Sequence, residues 1–251
     1  MLTLIQAAAE TAATTGGFSR FLTWMLPPAT STSTFTGPID RLYYVILIIT
    51  GIAFVLVEAG IIWFCFKYRA RAGVKAHYTH GNATAEIIWT AVPAITVVAL
   101  GIMSAGLWNT IKGRNSVPAD AIAYGISAKQ FEWNVSYAGA DGTLETGDDF
   151  IIRNQLHVPV GKPILVNLTA EDAIHSFFVP GFRLKQDAVP GMKIRVWFQA
   201  VEPGTMELAC AELCGLGHYK MRAIVTVHTQ QDYDTWLAGQ IAQRAQTVAL
   251  R

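Results

Sequence analysis

Two apolar runs set the terms for everything else in this chain. Residues 43–66 are almost unbroken hydrocarbon, and residues 87–108 form a second run of the same kind. At about 1.5 Å per helical residue, each can cross a hydrocarbon core of roughly 30 Å, so the sequence predicts a pair of transmembrane helices. The 251 residues are 52% hydrophobic and 15% charged, too apolar for an ordinary water-soluble protein and too polar for one held wholly in lipid. A membrane hairpin joined to a water-exposed domain satisfies both figures. The link between the runs carries Lys67, Arg69, Arg71 and Lys75 with no acid before Glu86, which places that short loop in the cytoplasm. Both termini, and everything after about Asn109, then lie on the outer face.

Residues 1–40 read as an N-terminal extracytoplasmic segment and residues 41–110 as the hairpin. The segment has no basic stretch ahead of an apolar one, which argues against a signal peptide. Its residues 21–28, "FLTWMLPP", suit either an aromatic-rich interfacial segment or a loose tail. Glu58 falls inside the first apolar run, where an ionisable group costs on the order of 3 kcal/mol, so it is expected to face another subunit. Cys65, near the end of that run, reads as a small hydrophobe.

Residues 111–229 have a different texture. "KPILVNLTA" puts Ile164, Val166 and Leu168 on one face, and "KIRVWFQA" alternates Ile194, Val196 and Phe198 with Lys193, Arg195 and Gln199. Pro-Gly and Asp-Gly punctuation separates these runs at residues 137–149, 158–163, 188–193 and 201–205. Many short strands with such spacing predict a β-sandwich or small barrel. Residues 230–251 read as a closing C-terminal helix or tail. The net charge of +1 and the lack of a basic tail give a nucleic-acid partner no electrostatic footing. Three cysteines are too few for a disulfide framework.

Two of those cysteines sit in "CAELCGLGHYKM", residues 210–221, between a strand candidate, "TMELA", and another, "RAIVTV". Cys210, Cys214, His218 and Met221 are soft or borderline donors, and a Cys, His and Met set marks copper electron-transfer sites. His175 in "DAIHSFFVP" is the candidate distant imidazole, since His77, His80, His157 and His228 have no comparable context. Other readings of the same residues stand beside this one. Two thiols and two imidazoles can hold a structural zinc, which leaves Met221 unexplained. Cys210 and Cys214 can pair as a disulfide in an oxidising compartment. No Cys-x-x-Cys-His run occurs, so the chain carries no covalent haem. A single blue copper needs one cysteine, whereas two thiolates can bridge two copper ions and spread one unpaired electron over both.

The chain resembles subunit II of haem–copper oxygen reductases of the cytochrome c oxidase type, with a binuclear CuA centre. "EIIWTAVPA", "QFEWNVSY", "IHSFFVPGFRLKQDAVPG" and the Cys210–Met221 loop stand in family order over about residues 40–240. The resemblance implies a two-helix hairpin followed by an all-β, cupredoxin-like domain. It implies two copper ions held by His175, Cys210, Cys214, His218, Met221 and the main-chain carbonyl of Glu212. The Glu212 carboxylate would reach a magnesium or manganese ion at the border with subunit I. Glu86, in "EIIWT", would feed protons toward that subunit; its bland role is a favourable charge at a helix N-terminus. The family commonly has Trp where this chain has Phe131, at the surface where electrons come in, while Trp133 keeps the neighbouring aromatic position.

The implied function is electron input to a proton-pumping terminal oxidase. A cytochrome c or equivalent donor reduces the copper pair, and haem in subunit I receives the electron for reduction of oxygen to water. The partners are then subunit I and other oxidase subunits, the donor, and the membrane. The implied location is a bacterial inner membrane, with both termini and the copper domain on the periplasmic side. A stand-alone membrane-tethered copper carrier or copper-delivery module is the alternative, although one helix would suffice as its tether. Quinol-oxidase subunits of this architecture lack the copper ligands, and nitrous oxide reductase needs a large extra domain. From Lys112 onward, thirteen basic residues meet fourteen acidic ones, so no strong field steers a donor. Asp141, Glu145, Asp148 and Asp149 cluster in what reads as a solvated turn, which leaves short-range apolar contact, with Phe131 at its centre, to hold a donor.

Overall fold

In the computed structural model, residues 32–249 are described; the stretch at 21–28 lies outside them. Helix α1 spans Thr36–Lys67 and helix α2 spans Ala83–Lys112, both longer than the apolar runs that announce them. Their 32 and 30 residues extend roughly 48 and 45 Å, more than the hydrocarbon core needs, so polar turns are available to reach the headgroups. Asn82 caps α2 by accepting the Ala85 N–H on Oδ1 at 3.1 Å, which fixes the start of the helix before the apolar run begins. Large side chains on both helices point outward: Phe54, Leu56, Trp63, Ile95 and Ile102 are all more than half exposed. That is the surface a helix presents to lipid.

The chain divides into a helical unit, Ile39–Thr110, and a β unit that also takes in the described residues up to Pro38. Residues just ahead of α1 are tied down within the β unit. Ser33 bridges to Ala200, and its hydroxyl donates to the Phe182 carbonyl at 3.0 Å. Phe35 meets the Trp197 ring edge-on at 4.7 Å, and the Trp197 indole N–H donates to the Ile111 carbonyl at 2.9 Å.

The β unit is a sandwich of two five-stranded sheets. One orders β3 (Phe150–Arg153), β2 (Glu132–Tyr137), β1 (Ile122–Lys129), β5 (Pro163–Ala170) and β8 (Ile194–Gln199). The other orders β4 (Gln155–Pro159), β10 (Arg222–His228), β9 (Gly204–Cys210), β6 (His175–Val179) and β7 (Leu184–Ala188). Pairing is antiparallel except for β1 with β5 and β10 with β4. Ile164, Val166 and Leu168 of β5 face Val196 and Phe198 of β8 as fully or nearly fully buried side chains, on the face the alternation of the sequence selects. Ile126, Trp133, Val135, Leu156, Phe177, Leu208 and Val225 complete the core between the sheets.

Helix α3 (Gln230–Ala249) closes the unit. Thr229 caps it, accepting the Asp232 N–H at 3.2 Å and donating to the Asp232 carboxylate at 2.7 Å. Tyr233 joins its hydroxyl to that of buried Tyr124 at 2.7 Å. Trp236 lies over His157, rings 4.3 Å apart and 16° from parallel. His157 Nδ1 and His228 Nε2 share a hydrogen bond of 2.8 Å, and His157 Nε2 meets Gln155 Oε1 at 3.2 Å. Because Gln155 accepts at Nε2, the His157 Nδ1 is the acceptor in the pair and His228 is its donor. Neither histidine has a context in the sequence; the structure makes them the seat of α3.

Candidate metal centre

Strand pairing builds the site before any loop is considered. Cys210 is the last residue of β9 and sits opposite Phe177 of β6. His175 begins β6, and Met221 immediately precedes β10. The Cys210 N–H donates to the Met221 carbonyl at 3.1 Å, so the β9–β10 connection leaves and returns at one point. Within it a short 3-10 turn, His218–Lys220, reverses the chain and brings His218 back toward Cys214.

The side chains converge as a result. Cys210 Sγ lies 3.9 Å from Cys214 Sγ and 3.9 Å from His175 Nδ1. Cys214 Sγ lies 3.7 Å from His218 Nδ1 and 3.8 Å from Met221 Sδ. The Glu212 carbonyl is 3.2 Å from Cys210 Sγ. His175, Met221 and both thiols are buried, while the Glu212 side chain is exposed. Around a tetrahedral ion with metal–nitrogen and metal–sulfur bonds of about 2.0 and 2.3 Å, neighbouring donors stand roughly 3.3 to 3.8 Å apart. The observed spacings of 3.7 to 3.9 Å lie at or just beyond the upper end of that range, and far from a disulfide, whose sulfurs stand about 2.05 Å apart. Burial, and then the thiol of Cys210 beside it, push the Cys214 thiol up to about 11. Two neighbouring thiolates in such a place require a cation.

One imidazole is aimed by a partner that the sequence reading did not single out. His175 Nε2 donates to Asp172 Oδ1 at 2.9 Å, which fixes the tautomer and leaves Nδ1 free toward Cys210. Burial works against the charged Asp172, but the N–H groups of Gln130 and Ala173, each at 2.7 Å, and the imidazole hold its carboxyl below the usual range. A carboxylate three residues before a histidine at a strand start is the signal that could have revealed it.

The two aromatic candidates separate. Trp133 is completely buried, edge-on to Phe177 at 5.8 Å and to His175 at 6.3 Å, so it supports the ligand from inside and offers nothing to a docking protein. Its indole N–H finds no acceptor among the described residues. Phe131 is half-buried and lies on the loop. On the Cys210–Met221 loop that its ring touches at Gly215 and Gly217, Leu213, Leu216 and Tyr219 are strongly exposed, an apolar set that strand patterns could not reveal because the loop has no period. Glu86 is exposed in the first turn of α2, in the helical unit. The acids at 141–149 fold on themselves: Asp148 accepts the Asp141 N–H at 3.1 Å and Asp149 the Glu145 N–H at 2.7 Å. They build a turn, as the sequence suggested.

A model of the cytochrome c oxidase subunit II periplasmic domain matches residues 129–228, and a model of the transmembrane domain of the same subunit matches residues 22–107. The chain belongs to the cytochrome c oxidase subunit II family. The alternative cytochrome c oxidase subunit 2 of Bradyrhizobium diazoefficiens is 34% identical over 86% of this chain and 84% of its own length. The cytochrome c oxidase subunit 2 of Thermostichus vulcanus is 35% identical over 79% of this chain and 73% of its own length. A crystal structure of the periplasmic domain of subunit II of the Bradyrhizobium japonicum cytochrome oxidase, 29% identical, covers 49% of this chain and 95% of that domain with a TM-score of 0.43. The chain is therefore a membrane protein, with two membrane-spanning helices followed by a β-sandwich and a C-terminal helix, in a copper-centre family, and its His175, Cys210 and Cys214 cluster as potential metal ligands. In an oxidase, oxygen chemistry resides in subunit I.

Proposed function

We propose that this chain is the electron-input subunit of a terminal oxidase and that its metal centre is binuclear copper. His175, Cys210, Cys214, His218, Met221 and the Glu212 carbonyl would hold two copper ions. When bound, the copper pair would supply a site that takes one electron at a time from a cytochrome c-type donor and yields it to haem in subunit I, where oxygen reduction is coupled to proton pumping. The observation that carries this reading is the pairing of the donors. Each thiol has its own imidazole at 3.7 or 3.9 Å, and the thiols themselves are 3.9 Å apart, which makes two donor sets that share their sulfurs. A single zinc takes four donors and leaves the Met221 thioether, 3.8 Å from Cys214, without a function.

The remaining roles belong to the chain's own groups. Asp172 keeps His175 in one tautomer, and the burial of Cys210, Cys214 and Met221 excludes water. Phe131, with the exposed rim of Leu213, Leu216 and Tyr219, supplies the short-range apolar contact expected where no charge field steers a donor. Glu86 passes protons toward subunit I, and the exposed Glu212 carboxylate would be the group to hold a magnesium or manganese ion at the subunit border. The basic loop between the helices faces the cytoplasm of a bacterial cell, with the β unit and both termini outside. The test is rapid mixing of the assembled oxidase with reduced cytochrome c. Cytochrome oxidation that vanishes in Cys214→Ser, with haem content unchanged, is the expected result; oxidation at the wild-type rate in that variant would contradict it.

A further inference from the structure

The β1–β2 hairpin ends in a two-residue tip, Gln130 and Phe131, just beyond the last register pair, Lys129 with Glu132. This tip touches the metal loop at three places, all between the ligands Cys214 and His218. The Gln130 side-chain amide donates to the Cys214 carbonyl. The Phe131 ring lies so close to Gly217 that a Cβ there would stand 2.4 Å from a ring carbon. At Gly215, φ is +133°, and a Cβ would stand 2.8 Å from the Gln130 amide and 3.2 Å from the ring. Gly217 has φ −91°, open to any residue, so space alone requires glycine there. The same tip reaches the other ligand: the Gln130 N–H donates to Asp172 at 2.7 Å, and Asp172 accepts from His175 at 2.9 Å.

We propose that Gln130 and Phe131 form a clamp that fixes the metal loop against the rest of the sandwich, joining the Cys214 side of the centre to the His175 side through the sequence Cys214 carbonyl, Gln130, Asp172, His175. Both are positioning residues. This rests on the copper reading above for its spectroscopic consequence only. Cys214 and His218 lie on a loop outside either sheet, and a metal site needs its donors held within about 0.5 Å. Strand pairing holds His175 and Cys210, and the Cys210 N–H holds the Met221 carbonyl, whereas the clamp does this for the other two. It also gives Phe131 a task separate from donor contact, because the ring that seals the two glycines is half-buried whether or not a donor is present.

The experiment uses the full chain in detergent with Cys65→Ser, so that only the loop thiols react. In metal-free protein, the alkylation rates of Cys210 and Cys214 are compared with the rates in Gln130→Leu, Phe131→Ala, Gly217→Ala and the Phe131→Ala, Gly217→Ala double variant. Gly217→Ala should raise the rate severalfold, and after copper loading it should weaken metal affinity about tenfold or more, in the range typical of losing a residue behind a ligand. The double variant should react no faster than Phe131→Ala alone, because the added methyl then meets no ring. Gln130→Leu adds no atom to the crowded loop and should still speed alkylation. After copper loading, it should also shift the visible bands and hasten copper loss to a chelator. Gly217→Ala acting equally with and without the Phe131 ring, or wild-type rates in Gln130→Leu, would overturn the clamp and leave the copper reading standing. Failure to take up copper with the alkylation pattern intact would sink the copper reading and leave the clamp.

Discussion

Leu56 and Leu208 are the same side chain under opposite rules. In α1, Leu56 is 67% exposed; in β9, Leu208 is completely buried. Burying such a side chain away from water is worth about 1.5 to 3 kcal/mol, so a water-soluble domain turns it inward. A helix in lipid has no such drive, since the surrounding chains are as apolar as the leucine, and its position matters far less. The hairpin therefore spends its hydrophobic residues on staying in the membrane. The sandwich spends them on a packed core against which His175, Cys210, Cys214, His218 and Met221 come together. What the contrast teaches is where geometry resides: the β unit sets the relative positions of side chains by close packing, and the helical unit fixes a location.

The sharpest break in that comparison is chemical. Cys214→Ser should lower electron transfer from a reduced cytochrome c by at least about a hundredfold, on the scale of a misplaced reacting group, whereas Leu56→Ala should leave it unchanged; stopped-flow absorbance reads both. A packing test comes next. Phe177 is fully buried against Trp133 and opposite Cys210, so Phe177→Ala should cost the β unit about 3 to 5 kcal/mol in chemical denaturation, while Leu56→Ala costs it nothing measurable.

The two regions were also unequally legible in sequence. Length and hydropathy alone disclose α1 and α2, because crossing lipid needs only that. Alternation disclosed β5 and β8, since a half-buried strand repeats every second residue, and "RAIVTV" marked β10 as a strand candidate. Within the site, residue chemistry named Cys210, Cys214, His218, Met221 and His175, and the structure brings them together. Asp172 and Gln130 escaped because their function lies in hydrogen bonds across turns, and turns have no period to read. Trp133 shows the converse: the aromatic pattern is visible in sequence, but only the fold says that one ring is interior and the other on the loop. The packed end residues Ser33 and Phe35, and the His157–His228 pair under Trp236, depend on contacts more than seventy residues apart in the chain or on rings from three elements.

Glu86 carries the comparison into the helical unit. If it serves proton uptake, Glu86→Ala should slow oxidase turnover several-fold while the copper spectrum of the β unit stays as it was. A mere helix-end charge is worth about 0.3 to 1 kcal/mol and would leave turnover untouched. A smaller effect lies at the far end of the sandwich. Burial, and then the neighbouring His228, lower His157 to about 4, and burial lowers His228 as well, partly opposed by Asp232. The folded state thus holds fewer protons than the unfolded chain below about pH 6.5, so stability is full above that value and falls as pH drops toward about 4. Melting temperature should decline across that window, with Trp236 fluorescence reporting release of α3, and His157→Gln should flatten the decline. The smallest expected effect is on ionic strength: with formal charges nearly balanced, Asp148 and Asp149 used within their own turn and Glu145 paired with Lys193, donor oxidation should vary less than about threefold between low and physiological salt.

The measurement that bears most directly on the division of labour is the copper-to-protein ratio of the full chain, purified in detergent, together with its electron paramagnetic resonance spectrum. Two copper ions per chain, with one unpaired electron spread equally over both nuclei, is the result that donor sets sharing two sulfurs predict. One zinc and no copper, or a single copper with its electron localised on one nucleus, would contradict it.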